Sequence, residues 1–198
     1  MVLARVCPAC LETSGILIPS CNSKLIALCG KNGCGKSSIL KLICGRVKQE
    51  PKDGICSSDS LTNFNIPHTG NFQTASGLKI SYVSQDTAFL NGDLSDYARE
   101  HEIDESLFKA ILRKLDFSRV QFEKNMSDFS AGQKKKVLIA RSLCEKSHLY
   151  IWDEPLNFID VFSRMQIEEL LLTYKPTMIF VEHDSVFSKA IATGVVEL

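Results

Sequence analysis

Three glycines and a Lys-Ser-Ser sequence surround one predicted turn near the start of the chain. Residues 30–37 read GKNGCGKS, which matches the pattern G-x-x-x-x-G-K-[ST]. Glycines let backbone N–H groups wrap a phosphate chain without Cβ clashes, and a helix that begins there points the positive end of its dipole at the phosphate. The pattern predicts a phosphate-binding loop, with a plain strand-to-helix turn as the alternative.

Two side chains of this loop would do most of its chemistry. Lys36 would reach the β- and γ-phosphates of a nucleotide, and the hydroxyl of Ser37 would ligate Mg²⁺. The predicted nucleotide-binding residues of the loop are Asn32, Gly33, Cys34, Gly35, Lys36, Ser37 and Ser38.

An acidic pair follows a second apolar run. Residues 149–155 read LYIWDEP, so Asp153 and Glu154 come after four apolar or aromatic residues. A phosphate-binding loop needs an aspartate at the end of a neighbouring buried strand to hold the Mg²⁺ shell, and Asp153 meets that requirement. Glu154, the next residue, is a candidate for polarising an attacking water. A solvated strand end is the alternative for this pair.

Short apolar runs alternate with helical patterns around these motifs, which predicts an α/β fold with a largely parallel sheet. Strands are predicted in residues 24–30, 77–86, 148–155 and 177–184, and helices in residues 36–47, 105–117 and 131–146. Residues 50–76, rich in Ser, Asn, Gly and Asp, are expected to form turns and short strands. Trp152 and Phe180 are expected in the core.

Helical spacing also predicts which side chains pack. In residues 105–117 the expected apolar face is Leu107, Ile111, Leu112 and Leu115, and in residues 131–146 it is Val137, Leu138, Ala140 and Leu143. The three lysines at 134–136 are expected to form a solvated face. A modest electrostatic contribution to a nucleotide or a partner is the alternative for them.

Length and composition limit the class of protein. The chain has 198 residues, 44% of them hydrophobic, which predicts one globular domain with a sizeable core. Its 23 basic and 23 acidic residues cancel, so a strongly basic surface for nucleic acid, and with it sequence-specific DNA binding, is not expected. The longest apolar runs are far shorter than the roughly 20 residues that span a bilayer.

The eight cysteines are expected to be reduced thiols of a cytoplasmic protein. Several lie in or beside apolar segments, and a chain of this length needs no disulfide framework. Cys7 and Cys10, with Cys21, resemble half of a zinc site, but no second C-x-x-C or histidine pair completes it.

A third motif suggests the family. Residues 129–136, FSAGQKKK, resemble the signature motif of ABC proteins, usually LSGGQ, with Ala131 in place of a glycine. With the phosphate-binding loop, SQD at 84–86, WDEP at 152–155 and VEHD at 181–184, this motif stands in the family's order. The chain is therefore identified as similar to ABC nucleotide-binding domains from about Lys24 onward.

The resemblance implies a fold and an arrangement of domains. It implies an α/β P-loop NTPase, an ABC-type nucleotide-binding domain with a RecA-like core, a small antiparallel β subdomain and a short helical subdomain. The whole chain, residues 1–198, would be one such domain, with the helical subdomain at approximately 87–142.

The resemblance also assigns roles to particular residues, with ATP and Mg²⁺ as the ligands. Gln85 would contact Mg²⁺ and the attacking water, Glu154 would be the catalytic base, and His183 would contact the γ-phosphate. A histidine that caps a strand end is the alternative for His183. The implied metal ligands are Ser37, Gln85 and Asp153. The residues expected to face the γ-phosphate of ATP held by a second cassette are Ser130, Gly132 and Gln133.

The segment after Glu154 points to a subclass. Residues 154–160 read EPLNFID, with Asn157 where ABC-F proteins have Asn in EPTNHLD. The region resembles the second cassette of ABC-F antibiotic-resistance proteins that protect the ribosome. The short interval from Gln85 to Ser130 fits a helical subdomain of that group. The resemblance implies the ribosome as a partner and a parent protein with two cassettes, the second being needed for ATP turnover.

Two other functions stay open from the sequence. One is the ATPase subunit of a membrane transporter, which would bind a permease. The other is an inactive module that binds nucleotide or a partner structurally. The second alternative is supported by the lack of any aromatic residue before Phe64, since cassettes usually stack adenine on an aromatic side chain upstream of the phosphate-binding loop.

Overall fold

The computed structural model describes residues 24–46 and 77–198. These residues divide into two compact units. The first contains residues 24–46, 77–82, 147–153 and 175–198, and the second contains residues 83–146 and 154–174. The expected turns and short strands of residues 50–76, and the Cys7, Cys10 and Cys21 group, lie outside the described residues.

A five-stranded sheet organises the first unit. Its strands are β1 (Leu25–Cys29), β2 (Ile80–Val83), β3 (Leu149–Asp153), β4 (Met178–Val181) and β5 (Gly194–Glu197). They are ordered β2-β3-β4-β1-β5, and β1 runs parallel to both β4 and β5, as β3 does to β4. The predicted α/β class with a parallel sheet is confirmed.

Strand register brings the ends of β1 and β3 to one edge of the sheet. Trp152 on β3 and Ala27 on β1 are both level with Phe180 on β4. Because parallel strands share a direction, the loop after β1 and the acid at the end of β3 leave the sheet at the same edge. Ligands of open parallel sheets bind outside this carboxyl edge.

Six α-helices accompany the strands in the described residues. They are α1 (Lys36–Arg46), α2 (Leu94–Glu100), α3 (Glu105–Lys114), α4 (Ala131–Cys144), α5 (Val161–Tyr174) and α6 (Ser185–Ile191). Short 3₁₀ helices cover Arg119–Glu123 and Met126–Asp128. None of the helices within 24–46 and 77–198 combines the length and apolar character needed to cross a bilayer.

The core of the first unit lies between the sheet and α1. Leu40 and Ile43 of α1 pack with Ile26, Ile151 and Ile179 from three neighbouring strands. Burial of these branched apolar side chains is the main favourable term in holding the helix to the sheet.

Both predicted core aromatics of this unit are fully buried. Trp152 and Phe180 have no exposed surface, which confirms the expectation from the sequence. The Phe180 ring also meets the Phe187 ring edge to face, with centroids 6.2 Å apart, and this contact packs α6 against β4. Such an arrangement is favourable because the positive edge of one ring faces the negative face of the other.

The four predicted strands and three predicted helices are all present. The sequence pattern missed α2, α5, α6 and β5. One available signal for α6 was Asp184, whose carboxylate accepts hydrogen bonds from the backbone N–H groups of Val186 and Phe187, since an aspartate before a helical pattern is a typical N-cap.

Helix α3 of the second unit buries part of the predicted face, with Phe108 in place of Leu107. Phe108, Leu112 and Leu115 are fully buried, whereas Leu107 is 46% exposed, so the expectation for Leu107 was wrong. The buried residues follow i, i+4, i+7 spacing, and Leu107 lies about 100° away from Phe108 around the helix. The Phe108 ring lies 6.3 Å from that of Tyr97 on α2, which fixes the buried side.

Helix α4 is buried on more sides than a single apolar face would allow. Four consecutive residues, Val137 to Ala140, have no exposed surface, although consecutive helical residues point in directions about 100° apart. Lys135 and Lys136 are buried as well. The predicted packing of Val137, Leu138 and Ala140 is confirmed, although burial extends beyond that face. The expectation of a solvated face was wrong for Lys135 and Lys136.

The two leucines of α3 should respond differently to truncation. Leu112→Ala is expected to lower the free energy of unfolding by about 2–5 kcal/mol, because it leaves a cavity in a packed core. Leu107→Ala is expected to change it by only about 0.5 kcal/mol, as at other partly exposed positions. Urea unfolding followed by circular dichroism measures both, and equal losses would contradict the orientation of α3.

Candidate functional site

The loop between β1 and α1 has the backbone of a phosphate-binding turn. Gly33 and Gly35 have φ angles of 82° and 99°, a region that favours glycine over residues with a Cβ. No heavy atom lies within 4 Å of a Cβ built at either glycine, so backbone conformation rather than crowding selects glycine here. Residues 31–34 are exposed, which leaves the outer curve of the loop accessible.

Lys36, the first residue of α1, folds back along its own loop. Its Nζ donates hydrogen bonds to the backbone carbonyls of Gly30, at 2.9 Å, and Lys31, at 3.0 Å. The side chain is buried, with 8% exposed. These bonds hold a positive charge beside the N-terminal end of α1, where the helix dipole also favours an anion.

Asp153 brings a carboxylate to the same loop. The Ser37 hydroxyl donates to Asp153 Oδ1 at 3.1 Å, and the Tyr82 hydroxyl donates to Oδ2 at 3.5 Å. Asp153 is only 1% exposed, and a buried carboxylate is stable only when donors compensate for its lost hydration. The structure thus joins two residues 116 positions apart in the sequence.

The negative charge of Asp153 also acts on a nearby thiol. Burial, together with a smaller contribution from the negative charge of Asp153, raises the pKa of Cys44 to about 12. Cys44 is therefore a neutral thiol at physiological pH, and it packs as an apolar side chain against the core.

The donor set around Ser37 fits Mg²⁺. Hydroxyl and carboxylate oxygens are the ligands that this hard cation prefers, and Mg²⁺ sites typically use one or two carboxylates together with substrate phosphates and water. No group of three His, Cys, Asp or Glu side chains arranged for a metal occurs in residues 24–46 and 77–198, so a site built from protein carboxylates alone is not present there.

His183 lies two residues after the end of β4, in the connection to α6. Its backbone N–H donates to Glu182 Oε1 at 2.8 Å, and the residue is exposed. The next residue, Asp184, caps α6. Because β4 pairs with both β1 and β3, His183 leaves the sheet at the same edge as the glycine-rich loop and Asp153. Its contact with phosphate stays a prediction.

In the second unit, two amide side chains converge on Glu154. Gln85 Nε2 donates to Glu154 Oε2 at 2.8 Å, and Asn157 Nδ2 donates to the same oxygen at 2.7 Å. Glu154 itself has a φ of 48°, a left-handed conformation that is uncommon for a residue with a side chain. Asn157 was noted in the sequence only as a mark of subclass, and no sequence signal showed its contact with Glu154.

The signature residues form the N-terminus of α4. The Ser130 hydroxyl accepts a hydrogen bond from the Gln133 backbone N–H at 3.3 Å, and Gln133 Oε1 accepts one from the Ser130 backbone N–H at 2.9 Å. This reciprocal capping box satisfies two N–H groups of the segment that starts the helix.

Gly132 is needed for a close contact. A Cβ at this position would run into the backbone carbonyl oxygen of Phe158, which itself has a φ of 66°. The neighbouring Ala131 is exposed. The methyl group that departs from the usual signature is therefore exposed, whereas the second glycine of the motif is retained where the close approach of the Phe158 backbone requires it.

Two consecutive lysines tie α4 to the segments that carry Gln85 and Asn157. Lys135 Nζ donates to the Ser84 carbonyl at 2.7 Å, and Lys136 Nζ contacts Asp160 Oδ2 at 2.7 Å. Asp160 also accepts hydrogen bonds from the backbone N–H and the hydroxyl of Ser163. This pairing explains why the two lysines are buried rather than solvated.

The pKa of Asp160 reflects these contacts. Burial alone would raise it, but hydrogen bonds from Lys136 and from the backbone and side chain of Ser163 outweigh that effect and lower the pKa to about 2. The carboxylate is therefore charged at every physiological pH.

Comparison with known protein families agrees with this geometry. A family model described as ABC transporter matches residues 21–157. ATP-binding protein Uup of Buchnera aphidicola is 33% identical over 83% of this chain. ABC transporter F family member 2 of Arabidopsis thaliana and the probable ATP-binding protein YbiT of Escherichia coli O157:H7 are 30% and 28% identical, each over 87% of this chain.

This chain spans only part of these relatives. It covers 26% of the length of Uup, 24% of the Arabidopsis protein and 30% of YbiT. Among solved structures, the RNase-L Inhibitor matches 89% of this chain with a TM-score of 0.62, over 32% of its own length. A putative cobalt transport ATP-binding protein matches 85% of this chain with a TM-score of 0.65, over 62% of its own length. Both are 20% identical and support the fold.

The Asp160 contacts predict a pH dependence of stability. The free energy of unfolding of the wild type should exceed that of Asp160→Asn by a constant amount above about pH 5. This excess should shrink toward pH 2, because a carboxylate with a lowered folded pKa stabilises the fold above its unfolded pKa of about 3.9 and loses that effect as pH falls through its folded value.

Urea titrations at several pH values measure this difference. Asp96→Asn is the control, because Asp96 pairs with Arg99 where both side chains are mostly exposed, and such pairs contribute little. A stability difference for Asp160→Asn that did not change down to pH 2 would contradict the assignment.

Proposed function

This chain belongs to the ABC transporter family, and on that basis we propose that it is an ATP-binding and ATP-hydrolysing cassette that works with a second cassette. The hydrogen bond between Ser37 and Asp153 carries the proposal. It joins the hydroxyl of a glycine-rich loop to an aspartate at the end of a neighbouring strand, which is the pairing that Mg²⁺-dependent phosphoryl transfer requires.

The first unit supplies the nucleotide-binding groups in this proposal. The backbone N–H groups of residues 32–38 and the Lys36 ammonium bind phosphate oxygens, and Ser37 and Asp153 hold Mg²⁺. His183 contacts the γ-phosphate. When bound, MgATP supplies the phosphoryl group that is transferred and the cation that offsets its charge.

The second unit supplies the groups that act on water and on a second cassette. Glu154 is the general base that accepts a proton from the attacking water, and Gln85 orients that water and ligates the metal. Ser130, Gly132 and Gln133 serve a nucleotide held by the second cassette, because the capped N-terminus of α4 favours an anion. Residues 1–198 would form one cassette with a helical subdomain near 87–142.

We further propose that the chain is part of an ABC-F protein acting on the ribosome. Asn157 within EPLNFID supports this subclass, as do relatives named as ABC transporter F family members. Each of those relatives is several times longer than the part that this chain matches. A role in antibiotic resistance rests on the likeness of residues 150–172 to the second cassette of ribosome-protection proteins.

Nucleotide binding is tested with two loop lysines. Lys36→Ala is expected to weaken ATP binding by about 10- to 150-fold, since one charged hydrogen-bonding group contributes about 1.5–3 kcal/mol. Lys31→Ala is the matched control, because only the backbone carbonyl of Lys31 contacts Lys36. Calorimetric titration with MgATP and phosphate-release assays measure both. If wild type and Lys36→Ala were indistinguishable in both assays, the chain would not be an active cassette.

Ribosome binding is tested in the full natural protein. Glu154→Gln is expected to abolish hydrolysis while ATP binding persists, so the protein should accumulate on 70S ribosomes and co-sediment with them when ATP is present. The same variant with Lys36→Ala should remain in the supernatant. ATP-dependent recovery with membranes and not with ribosomes would favour a transporter ATPase instead.

A further inference from the structure

We propose that Asn157 is a positioning residue that holds the Glu154 carboxylate in its reactive orientation. This inference rests on the proposed function, in which Glu154 is the general base. It adds a residue that the glycine-rich loop, the acidic pair and the signature do not include.

The contact between the two side chains is short and has a defined polarity. Asn157 Nδ2 lies 2.7 Å from Glu154 Oε2. An ionised carboxylate only accepts hydrogen bonds, so the amide must present its nitrogen, not its oxygen, to this partner. Gln85 Nε2 approaches the same oxygen at 2.8 Å. Two donors on one oxygen fix the plane of the carboxylate and with it the direction of the other oxygen, Oε1.

The two donors are not equivalent, because their surroundings differ. Gln85 is exposed and Asn157 is partly buried, so water competes more readily for the Gln85 contact. Gln85 also reaches Glu154 through a longer side chain with one more rotatable bond. Asn157 is only three residues from Glu154 in the chain, and we infer that it keeps the carboxylate in place when Gln85 turns toward another ligand.

The backbone around Asn157 is held at several points. A turn closes from the Ile159 N–H to the Leu156 carbonyl at 3.0 Å, and Phe158 inside it has a positive φ, as at the third position of a type II turn. The Phe158 carbonyl lies against Gly132, so this turn has little freedom to shift.

The end of the same segment is anchored as well. Asp160 pairs with Lys136, whose side chain is only 8% exposed, and it caps the first turn of α5 through Ser163. The backbone of Asn157 is therefore held on both sides. A residue that orients another side chain needs such support.

The chemistry explains why orientation matters. A general base must point a lone pair along the line of the proton that it accepts, and a displacement of about 1 Å in such a group can cost about 100-fold in rate. Loss of the Asn157 donor should therefore lower kcat. It should leave KM for ATP nearly unchanged, because Asn157 is not among the residues assigned to nucleotide binding.

The test replaces the amide by two other polar side chains in the full natural protein. Asn157→Asp keeps the shape but turns the donor into a carboxylate that repels Glu154, and Asn157→Ser is too short to reach it. We expect kcat to fall about 10- to 100-fold in both variants, with KM for ATP within about twofold of wild type. Asn91→Asp is the matched control, since Asn91 is exposed and donates only to the Phe89 carbonyl. It should keep wild-type kcat.

The possible results of these assays separate the positioning role of Asn157 from the proposed ATPase function. If the wild type hydrolyses ATP and both Asn157 variants keep its kcat within twofold, Asn157 has no positioning role. A rise in KM of the same size as the fall in kcat, or a fall in melting temperature that accounts for the lost activity in both variants, would make Asn157 a binding or structural residue and overturn the inference. If the wild type were no more active than Lys36→Ala, the proposed function itself would fail.

Discussion

The parallel pairing of β3 and β1 with β4 is the constraint on which the nucleotide-binding part of the molecule depends. This register puts the end of β3 and the loop after β1 at one edge of the sheet. Asp153 can then accept a hydrogen bond from Ser37, although the two lie 116 positions apart in the sequence. A buried carboxylate needs such a partner, because its desolvation would otherwise outweigh the packing around it. The sheet, the glycine-rich loop and the helix after it therefore form one support for the proposed phosphate and metal ion.

In the second unit, two charged side chains of α4 bond to neighbouring segments instead of facing solvent. Lys135 and Lys136 are adjacent on α4, yet one holds the carbonyl of Ser84 and the other the carboxylate of Asp160. Since consecutive helical residues point about 100° apart, one helix can hold two separate segments at once. Those segments carry Gln85 and Asn157, the two donors to Glu154. The same helix begins with the signature residues, so its position affects both the capped N-terminus and the amide pair around the proposed base.

Local signals in the sequence were sufficient for much of the fold and the site. Short apolar runs predicted four strands and helical spacing of apolar residues predicted three helices, and the glycine-rich loop was recognisable from residues 30–37 alone. Other features were not local. Leu107 and Phe108 are both apolar and adjacent, so only packing against Tyr97 of α2 decides which of them is buried. The lysines of α4 look solvated in any one-dimensional view, since their partners lie 51 and 24 residues away.

Residue types and their spacing were thus enough to indicate a phosphate-binding loop, an acidic strand end and a signature, because each of these depends on neighbours within a few positions. The tertiary structure decided which side chains meet. It placed Asn157 and Gln85 on one oxygen of Glu154, and it brought the Phe158 carbonyl against Gly132. The contacts of Gln85 with Glu154 and of Phe158 with Gly132 join segments that lie far apart in the chain. Their distances follow from tertiary packing, which no short stretch of sequence contains.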